Sequence, residues 1–250
     1  MKILLLMLVI SLFLIAPWVN VMAADLVLYL SFDKDSGNVA KDLSKFKNDA
    51  TFKGNPQWIK GKFGQALGLD GKTHGEVPDS PSLNITDALT IEAWALVEAG
   101  GEGTQSAVEK GSAWKDGEYN LAALYSGGTL LQAHDLPADC ADTNIGASIQ
   151  DGTWHFLAGT WDGSVIKLYI DGKLNAEKPC AGKLLTNTDP LFIGARGGTV
   201  RFLKGGLDEI KVYNYALKEN EILRDMETPG APVEAKGKLA LTWGRMKAGF

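Results

Sequence analysis

The sequence predicts an all-β fold, a two-sheet antiparallel jelly-roll sandwich with one short C-terminal helix. The first observation is the stretch Asp151–Lys178, where three Asp-Gly pairs separate short runs rich in β-branched and aromatic residues. An Asp-Gly pair supplies the two positive-φ positions of a type I′ turn, whose twist matches the strands that it joins. The second observation is that similar short runs recur along most of the chain, with turn signals every 8–12 residues or so. The sequence lacks the regular helix–strand alternation that a doubly wound parallel sheet requires.

Side-chain alternation defines the individual strands. In Val165–Ile170, three apolar residues share one face and the residues between them share the other. Thr153–Trp161 is largely apolar on both faces, which is typical of a strand that is covered on two sides. Leu26–Phe32 has the same character and ends at Asp33. The remaining strands are predicted at Asn48–Phe52, Gln65–Leu69, Glu76–Val77, Ala88–Val97, Thr104–Glu109, Tyr119–Tyr125, Leu130–Ala133, Ile145–Ile149, Leu191–Ile193 and Gly206–Tyr213, and the helix at Leu217–Met226.

The N-terminus predicts export. Residues 1–24 contain Lys2, the apolar run Ile3–Ile15 and the small residues Ala23 and Ala24, in the proportions of a secretory signal peptide. A membrane anchor is the alternative, but Pro17 interrupts the run before it reaches a comfortable span. We therefore expect a secreted, periplasmic or cell-surface protein, with no membrane span in the mature chain.

Length and charge indicate one sizeable domain. The chain has 250 residues and a formal net charge of -5, which suits a single β domain at 25–227 followed by a linker and C-terminal tail at 228–250. The mildly acidic balance, without a basic cluster, argues against nucleic acid as the main partner. In the tail, Lys238–Trp243 alternates and could form an edge strand or an attachment segment. The sequence does not indicate an oligomeric state.

The two cysteines lie on either side of the Asp151–Lys178 stretch. Cys140 precedes it and Cys180 follows it, and an oxidising compartment would allow them to form a disulfide. The alternative is two separate buried thiols.

Several segments together resemble a known family. They are LSFDKDSGNVAKDLS, GKFGQALGLDG, LTIEAWALV, TWHFLAGTWDGSVIKLYIDGK and GGLDEIKVYNYALKENEI, in this order between Leu26 and Leu223. This set resembles the LamG-like jellyroll domains of the concanavalin A-like lectin and glucanase group, which also includes laminin G and pentraxin modules. The resemblance implies a two-sheet jelly roll, often with bound Ca²⁺. It also implies a carbohydrate- or protein-binding module of an extracellular protein.

One carboxylate occupies an unexpected position in the last strand. Alternation places Asp208 on the same face as the apolar Ile210 and Val212, and an ionised group is costly to bury without a partner. Calcium, which takes 6–8 oxygen ligands, would compensate for this cost. If the first and last strands are neighbours, Asp33 lies close to Asp208, and Asp70 could join them. The alternative is that Asp208 accepts backbone N–H groups or pairs with a Lys or Arg.

Trp114 is the candidate ligand-binding residue. It lies in a glycine-rich loop, and loops at the rim of a sandwich commonly carry binding residues. Its apolar face could stack on a sugar ring, with Tyr119, Tyr125 and His134 as neighbours. The alternative is that Trp114 covers a sheet edge.

Catalysis is not predicted. A retaining glycosidase needs two carboxyl groups about 5–5.5 Å apart, and no strand carries the Glu-x-Asp-x-Glu spacing that would place them on one face. The sequence therefore favours an exported, non-catalytic module that binds a glycan or an extracellular protein surface. A glycan-cleaving hydrolase and a purely structural or adhesive component are the alternatives.

Overall fold

A computed structural model describes residues 24–228 and residue 230. The predicted signal peptide, apart from Ala24, lies outside these residues, and so does the predicted tail strand at Lys238–Trp243. Within the described residues, no helix is both long enough and apolar enough to cross a membrane.

The described chain forms fifteen strands and two α-helices, with one 3₁₀ turn at Pro81–Leu83. The strands are β1 Leu26–Leu30, β2 Val39–Ala40, β3 Ala50–Lys53, β4 Gln57–Lys60, β5 Gln65–Asp70, β6 His74–Val77, β7 Leu89–Val97, β8 Gln105–Lys110, β9 Tyr119–Tyr125, β10 Gly128–Ala133, β11 Trp154–Trp161, β12 Val165–Ile170, β13 Lys173–Pro179, β14 Leu191–Ile193 and β15 Lys204–Tyr213. The helices are α1 Ala138–Ala141 and α2 Glu219–Glu227.

The strands form two antiparallel sheets. Sheet A has the order β13-β12-β11-β7-β15-β5-β4, with β1 also paired to β15. Sheet B has the order β10-β9-β8-β14-β6-β3-β2. The predicted fold class, an antiparallel jelly-roll sandwich with a short C-terminal helix, is confirmed. The first and last strands of the domain are neighbours, as expected, with Leu30 opposite Ile210.

The main apolar core lies between the two sheets. In β12, Ile166 and Leu168 are fully buried in it, as their alternation predicts. From sheet B, Val108 and Leu121 belong to the same buried cluster. Burial of these side chains at roughly 1.5–3 kcal/mol each is the main force that holds the sheets together.

A second apolar cluster covers the outer face of sheet A. It contains Trp94 and Phe156 from the sheet and Ile222 from α2, with Leu217 just before that helix. Sheet A is therefore covered on both faces. This explains why Thr153–Trp161 is apolar in both directions.

The predicted disulfide is confirmed. Cys140 in α1 is bonded to Cys180, which follows β13, and their Cα atoms are 5.5 Å apart. The indole N–H of Trp161 donates to the Cys180 carbonyl at 2.8 Å, so this end of sheet A is tied to the core beside the bridge.

One predicted strand was wrong, and one observed strand was not predicted. Ile145–Ile149 is a loop: Gly146 and Thr129 exchange backbone hydrogen bonds of 2.8 and 3.4 Å. The next backbone N–H, of Ala147, donates instead to the Asn175 side chain at 2.7 Å, so the pairing does not continue as a ladder. Gln57–Lys60 forms β4, which the sequence analysis assigned to no strand. Its four residues mix polar and apolar side chains and by themselves hardly indicate a strand; pairing with β5 stabilises it.

The orientation of Asp208 also differs from the prediction. Leu207 pairs with the core residue Ala95, and Asp208 pairs with Trp94, which belongs to the outer cluster. A register shift follows Asp208, and Glu209 has a φ of 52°. This β-bulge reverses the alternation. Asp208 therefore faces the outer side of sheet A, not the core face that it would share with Ile210 in a regular strand.

Candidate functional site

Three loops meet at one end of sheet B. The loop between β8 and β9 carries Trp114, His134 follows β10, and the loop 185–189 precedes β14. They are brought together because Lys110 pairs with both Tyr119 and Leu191 at this end of the sheet.

Polar contacts to backbone groups hold these loops in place. Asp135 Oδ2 accepts the backbone N–H groups of Gly117 at 3.0 Å and Leu185 at 2.8 Å. The side-chain amide of Asn187 donates to the Asp116 carbonyl at 3.1 Å. The three loops therefore form one connected rim.

Asp189 fixes the other side of this rim. Its Oδ2 accepts the Ser112 backbone N–H at 2.8 Å and forms an ion pair with Lys115 at 2.8 Å. Burial, the largest single influence, raises the pKa of Asp189, but these hydrogen bonds and the Lys115 charge outweigh it and hold the pKa at about 2. Asp189 is therefore charged at neutral pH and anchors the loop that carries Trp114.

The rim encloses an open cleft of about 620 Å³. Trp114 is 38% exposed there, and its ring contacts the His134 ring edge-on with centroids 5.1 Å apart. An aromatic face beside hydroxyl, amide and charged groups is suited to a ligand with both apolar and polar surfaces. We call this the rim cleft; it is lined by Trp114, Lys115, Asp116, His134, Thr186, Asn187 and Thr188.

The two predicted tyrosines do not line the rim cleft. Tyr119 is only 2% exposed, and its hydroxyl donates to the Leu83 carbonyl at 2.9 Å, so it belongs to the core. Tyr125 lies at the opposite end of β9, six residues or about 20 Å further along the strand. The structure thus brings together Trp114 and His134 and separates both tyrosines from them.

Most of the cleft residues were not predicted. Thr186, Asn187 and Thr188 are about 70 residues from Trp114 along the chain, and they reach it only because β14 inserts between β8 and β6. The one available signal was the polar run before the strand Leu191–Ile193.

A second candidate site lies on the outer side of sheet A. We call Asp33, Asp208 and Glu209 the acidic corner. Asp208 Oδ2 accepts the Phe63 backbone N–H at 3.0 Å, and Asp33 Oδ1 accepts the Gln65 backbone N–H at 3.2 Å. Both carboxylates therefore flank the same loop between β4 and β5.

Two glycines allow the carboxylates to approach this loop. A Cβ at Gly61 would lie 2.5 Å from Asp208 Oδ2, and a Cβ at Gly64 would lie 2.0 Å from Asp33 Oδ1. Gly64 also has a φ of +49°, which a residue with a side chain adopts only with strain. The segment GKFG is therefore shaped to receive both acidic side chains.

Asp208 and Glu209 have raised pKa values. Burial, and to a lesser extent the charge of Asp33, raises the pKa of Asp208 to about 7. Burial and the charge of Asp208 raise the pKa of Glu209 to about 7, although Tyr29 donates a 2.7 Å hydrogen bond to it. Within the described residues, Asp208 Oδ1 is buried without a hydrogen-bond partner. Burial and mutual repulsion disfavour the ionised form of these carboxyl groups, and a bound cation would favour it.

Asp70 does not belong to the acidic corner. Along β5, Leu67 pairs with Leu207 next to Asp208, whereas Asp70 pairs with Lys204 at the far end. Its Oδ1 accepts the backbone N–H groups of Lys72 at 2.9 Å and Thr73 at 2.8 Å, which closes its own turn. The expectation that Asp70 joins Asp33 and Asp208 is therefore wrong.

Sheet B also carries buried charges on the face away from the core. Glu109 accepts a hydrogen bond from Arg201 at 3.2 Å, and Arg196 lies 3.8 Å from both Glu109 and Glu118. Burial, and then the hydrogen bond to Glu109, raises the pKa of Glu118 to about 9. The sequence analysis missed this carboxyl pair because its two members come from β8 and from the loop before β9. Both carboxyl side chains are fully buried.

The comparisons with known proteins agree with this architecture. A family model described as the concanavalin A-like lectin/glucanases superfamily matches residues 69–223. No curated protein has a matching sequence. One similar solved structure is domain 4 of AbnA, a GH43 extracellular arabinanase from Geobacillus stearothermophilus, in complex with arabinotriose. Its TM-score is 0.63 at 20% identity, and the match covers 83% of this chain and 100% of that chain.

Two further structures share the fold within longer chains. The binding domain of Paraclostridial Mosquitocidal Protein 1 has a TM-score of 0.61 at 19% identity, covering 81% of this chain and 52% of that chain. Trypanosoma rangeli sialidase in complex with the inhibitor DANA has a TM-score of 0.58 at 17% identity, covering 80% of this chain and 32% of that chain. At these identities the likeness shows the fold.

Proposed function

Since the chain belongs to the concanavalin A-like lectin/glucanases superfamily, we propose that it is an exported, non-catalytic module that binds carbohydrate at the rim cleft. The observation that carries this proposal is the half-exposed Trp114 ring at the edge of a cleft lined by polar side chains. Aromatic rings stack on the apolar face of a sugar, and hydroxyl and amide groups bind its hydroxyls.

Other observations support the same function. One structural neighbour is described in complex with arabinotriose, and another, the binding domain of a botulinum neurotoxin, in complex with SialylT. A disulfide is typical of proteins that fold in oxidising compartments, so the Cys140–Cys180 bridge supports export.

The glycan proposal is tested with a panel of immobilised glycans that includes arabinan oligosaccharides and sialylated glycans. We expect binding by the wild-type protein and a loss of about two- to tenfold for Trp114→Ala, because an aromatic contact contributes about 0.5–1.5 kcal/mol. The matched control is Leu174→Ala, which removes another exposed apolar side chain, 47% exposed, from β13. Equal binding by both variants would place the ligand elsewhere. No binding to any glycan would favour a protein ligand or a structural role.

We also propose that the acidic corner binds a structural Ca²⁺. The residues fit this ion: Asp33 and Asp208 supply hard oxygen ligands, and the buried Oδ1 of Asp208 is left without a partner by the described residues. Bound calcium would compensate the charges of the two carboxylates and fix the loop between β4 and β5 against the end of β1.

Thermal unfolding tests the calcium proposal. EDTA should lower the melting temperature and added Ca²⁺ should restore it, whereas Asp208→Asn should abolish the effect and Asp70→Ser should leave it unchanged.

Because the pKa values of Asp208 and Glu209 are raised to about 7, the native metal-free protein binds more protons than the unfolded chain. Its stability should therefore fall as the pH rises from about 4 to 7. The gain from Ca²⁺ should consequently be larger at pH 8 than at pH 5.

A glycan-cleaving hydrolase is the second candidate, favoured by the carboxyl pair Glu109 and Glu118. One member with a pKa of about 9 could act as a general acid. Both side chains are fully buried, however, and Arg196 and Arg201 contact them. Release of reducing sugar from a bound glycan, lost in Glu118→Gln, would establish this activity in place of simple binding.

A further inference from the structure

We propose that Asp116, His134 and Asp135 bind a zinc-type divalent metal ion in the wall of the rim cleft. Their ligand atoms all lie within 4.8 Å of one another. The metal proposal does not depend on the proposed function. The role that we assign to the ion in glycan binding also rests on the proposed function.

The distances between the three groups match a metal site. His134 Nδ1 lies 3.4 Å from Asp116 Oδ1 and 3.6 Å from Asp135 Oδ1. These separations exceed the usual 2.7–3.2 Å of a hydrogen bond. Two ligands in a tetrahedral zinc site, each about 2.0–2.1 Å from the metal, are about 3.4 Å apart. The two separations from His134 Nδ1 are therefore close to those between ligands of one zinc ion, and the third pair of ligand atoms lies within 4.8 Å.

A second observation concerns the histidine nitrogen that faces the two carboxylates. Within the described residues, His134 Nδ1 is buried and has no hydrogen-bond partner. A buried polar atom without a partner costs roughly 1–3 kcal/mol. A metal ion between the imidazole and the two carboxylates would remove this cost.

The surrounding groups hold the ligands in position. Asp135 is only 5% exposed at its side chain, and its other oxygen accepts two backbone N–H groups. The backbone N–H of His134 donates to the Glu118 carbonyl at 2.9 Å. The bonds to Asp135 are of the kind that orients a metal ligand, and the backbone bond of His134 fixes the main chain that carries the imidazole.

The chemical types of the three ligands favour Zn²⁺ over Ca²⁺. One imidazole and two carboxylates suit Zn²⁺, which combines nitrogen and oxygen ligands, whereas Ca²⁺ binds oxygen ligands. Asp116 is 71% exposed at its side chain, so the ion would be reachable from the cleft. Three protein ligands leave a fourth position, which a sugar hydroxyl or carboxylate beside Trp114 can occupy.

Calorimetric titration of the untagged, EDTA-treated protein with Zn²⁺ tests the metal site. We expect a binding event that Asp116→Ala weakens at least tenfold and that Asp87→Ala, a change at an exposed aspartate elsewhere, leaves unchanged. A second variant, His134→Gln, should have the same effect as Asp116→Ala. Absence of Zn²⁺ binding, or equal binding by Asp116→Ala and the wild type, would overturn the site.

Glycan binding with and without Zn²⁺ tests the role of the ion. Measured in excess Ca²⁺, so that the acidic corner stays saturated, binding of the best glycan should weaken at least tenfold when Zn²⁺ is removed. Asp116→Ala should show the same low affinity with or without Zn²⁺. Glycan binding that is insensitive to Zn²⁺ but lost in Trp114→Ala would overturn this role and leave the proposed function intact.

Discussion

At Glu209 the backbone of β15 leaves the extended region, with a φ of 52°, and the strand bulges. A side chain in this region costs roughly 1–2 kcal/mol. The bulge turns Asp208 to the outer face and leaves Ile210 in the core. One residue with an unusual dihedral angle thus places a carboxylate where a cation and a loop can reach it. Strain of this kind is often retained at functional positions.

Replacement of the single residue Gly64 should also change the stability of the protein. Gly64→Ala should destabilise the protein by about 2 kcal/mol or more, because its φ is positive and the new Cβ would collide with Asp33. It should also reduce the stabilisation by Ca²⁺. Urea denaturation with and without Ca²⁺ measures both effects. Gly103→Ala is the control, since a Cβ there meets nothing within 4 Å and its φ is not positive; an equal loss in both variants would contradict the prediction.

A charged cluster around His155 joins the beginning of β11 to the turn between β12 and β13. Its Nδ1 lies 2.8 Å from Asp171 in the β12–β13 turn, and its Nε2 lies 3.2 Å from Asp151. Desolvation is the largest single influence on the pKa of His155 and lowers it, but the hydrogen bonds to Asp171 and Asp151 together raise it. The hydrogen bonds from Thr153 and His155 hold the pKa of Asp151 at about 2.

These shifts predict how stability depends on pH. The contribution of His155 should be complete below the unfolded-state pKa of about 6.5 and lost as the pH rises through the higher folded-state value. The contribution of Asp151 should be present above about pH 4 and lost as the pH falls towards 2. The difference in unfolding free energy between wild type and His155→Gln should therefore be largest between about pH 4 and 6.5. We expect about 0.5–1 kcal/mol there, as for other surface pairs, and a difference that grows above pH 7 would contradict the assignment.

Across the whole molecule, the sandwich depends on contacts between residues far apart in sequence. Sheet A joins β1 to β15, and sheet B places β14 between β6 and β8. The disulfide adds a covalent link from α1 to the segment after β13, and its two cysteines are 40 positions apart along the chain. Such a link lowers the entropy of the unfolded chain.

Removal of the disulfide should therefore cost about 2–4 kcal/mol of unfolding free energy. Urea denaturation of a Cys140→Ala and Cys180→Ala double variant measures this loss. A reducing agent should destabilise the wild type by a similar amount and leave the variant unchanged. A double variant as stable as the oxidised wild type would show that the bridge contributes no net stability.

The fold could be predicted to a large extent, and the candidate sites only in part. Val165–Ile170 and its Asp-Gly turns contain local signals that set strand type and pairing, so the antiparallel meander was predictable. The β1–β15 neighbourhood was also expected, and it brings Asp33 near Asp208. Tyr119 was assigned to the ligand site because a sequence does not show that its hydroxyl reaches the Leu83 carbonyl.

The sequence by itself determined the sandwich class and the family, because alternation and turn residues act over short distances along the chain. It favoured the pairing of Cys140 with Cys180 and a loop position for Trp114, and left an alternative open for each. Only the tertiary structure decided which polar groups meet: Asp116, His134 and Asp135 at the rim cleft, and the outward turn of Asp208. These arrangements depend on strand order and on one β-bulge. Packing of the whole domain fixes both features, and neither produces a periodic pattern of residues in the sequence.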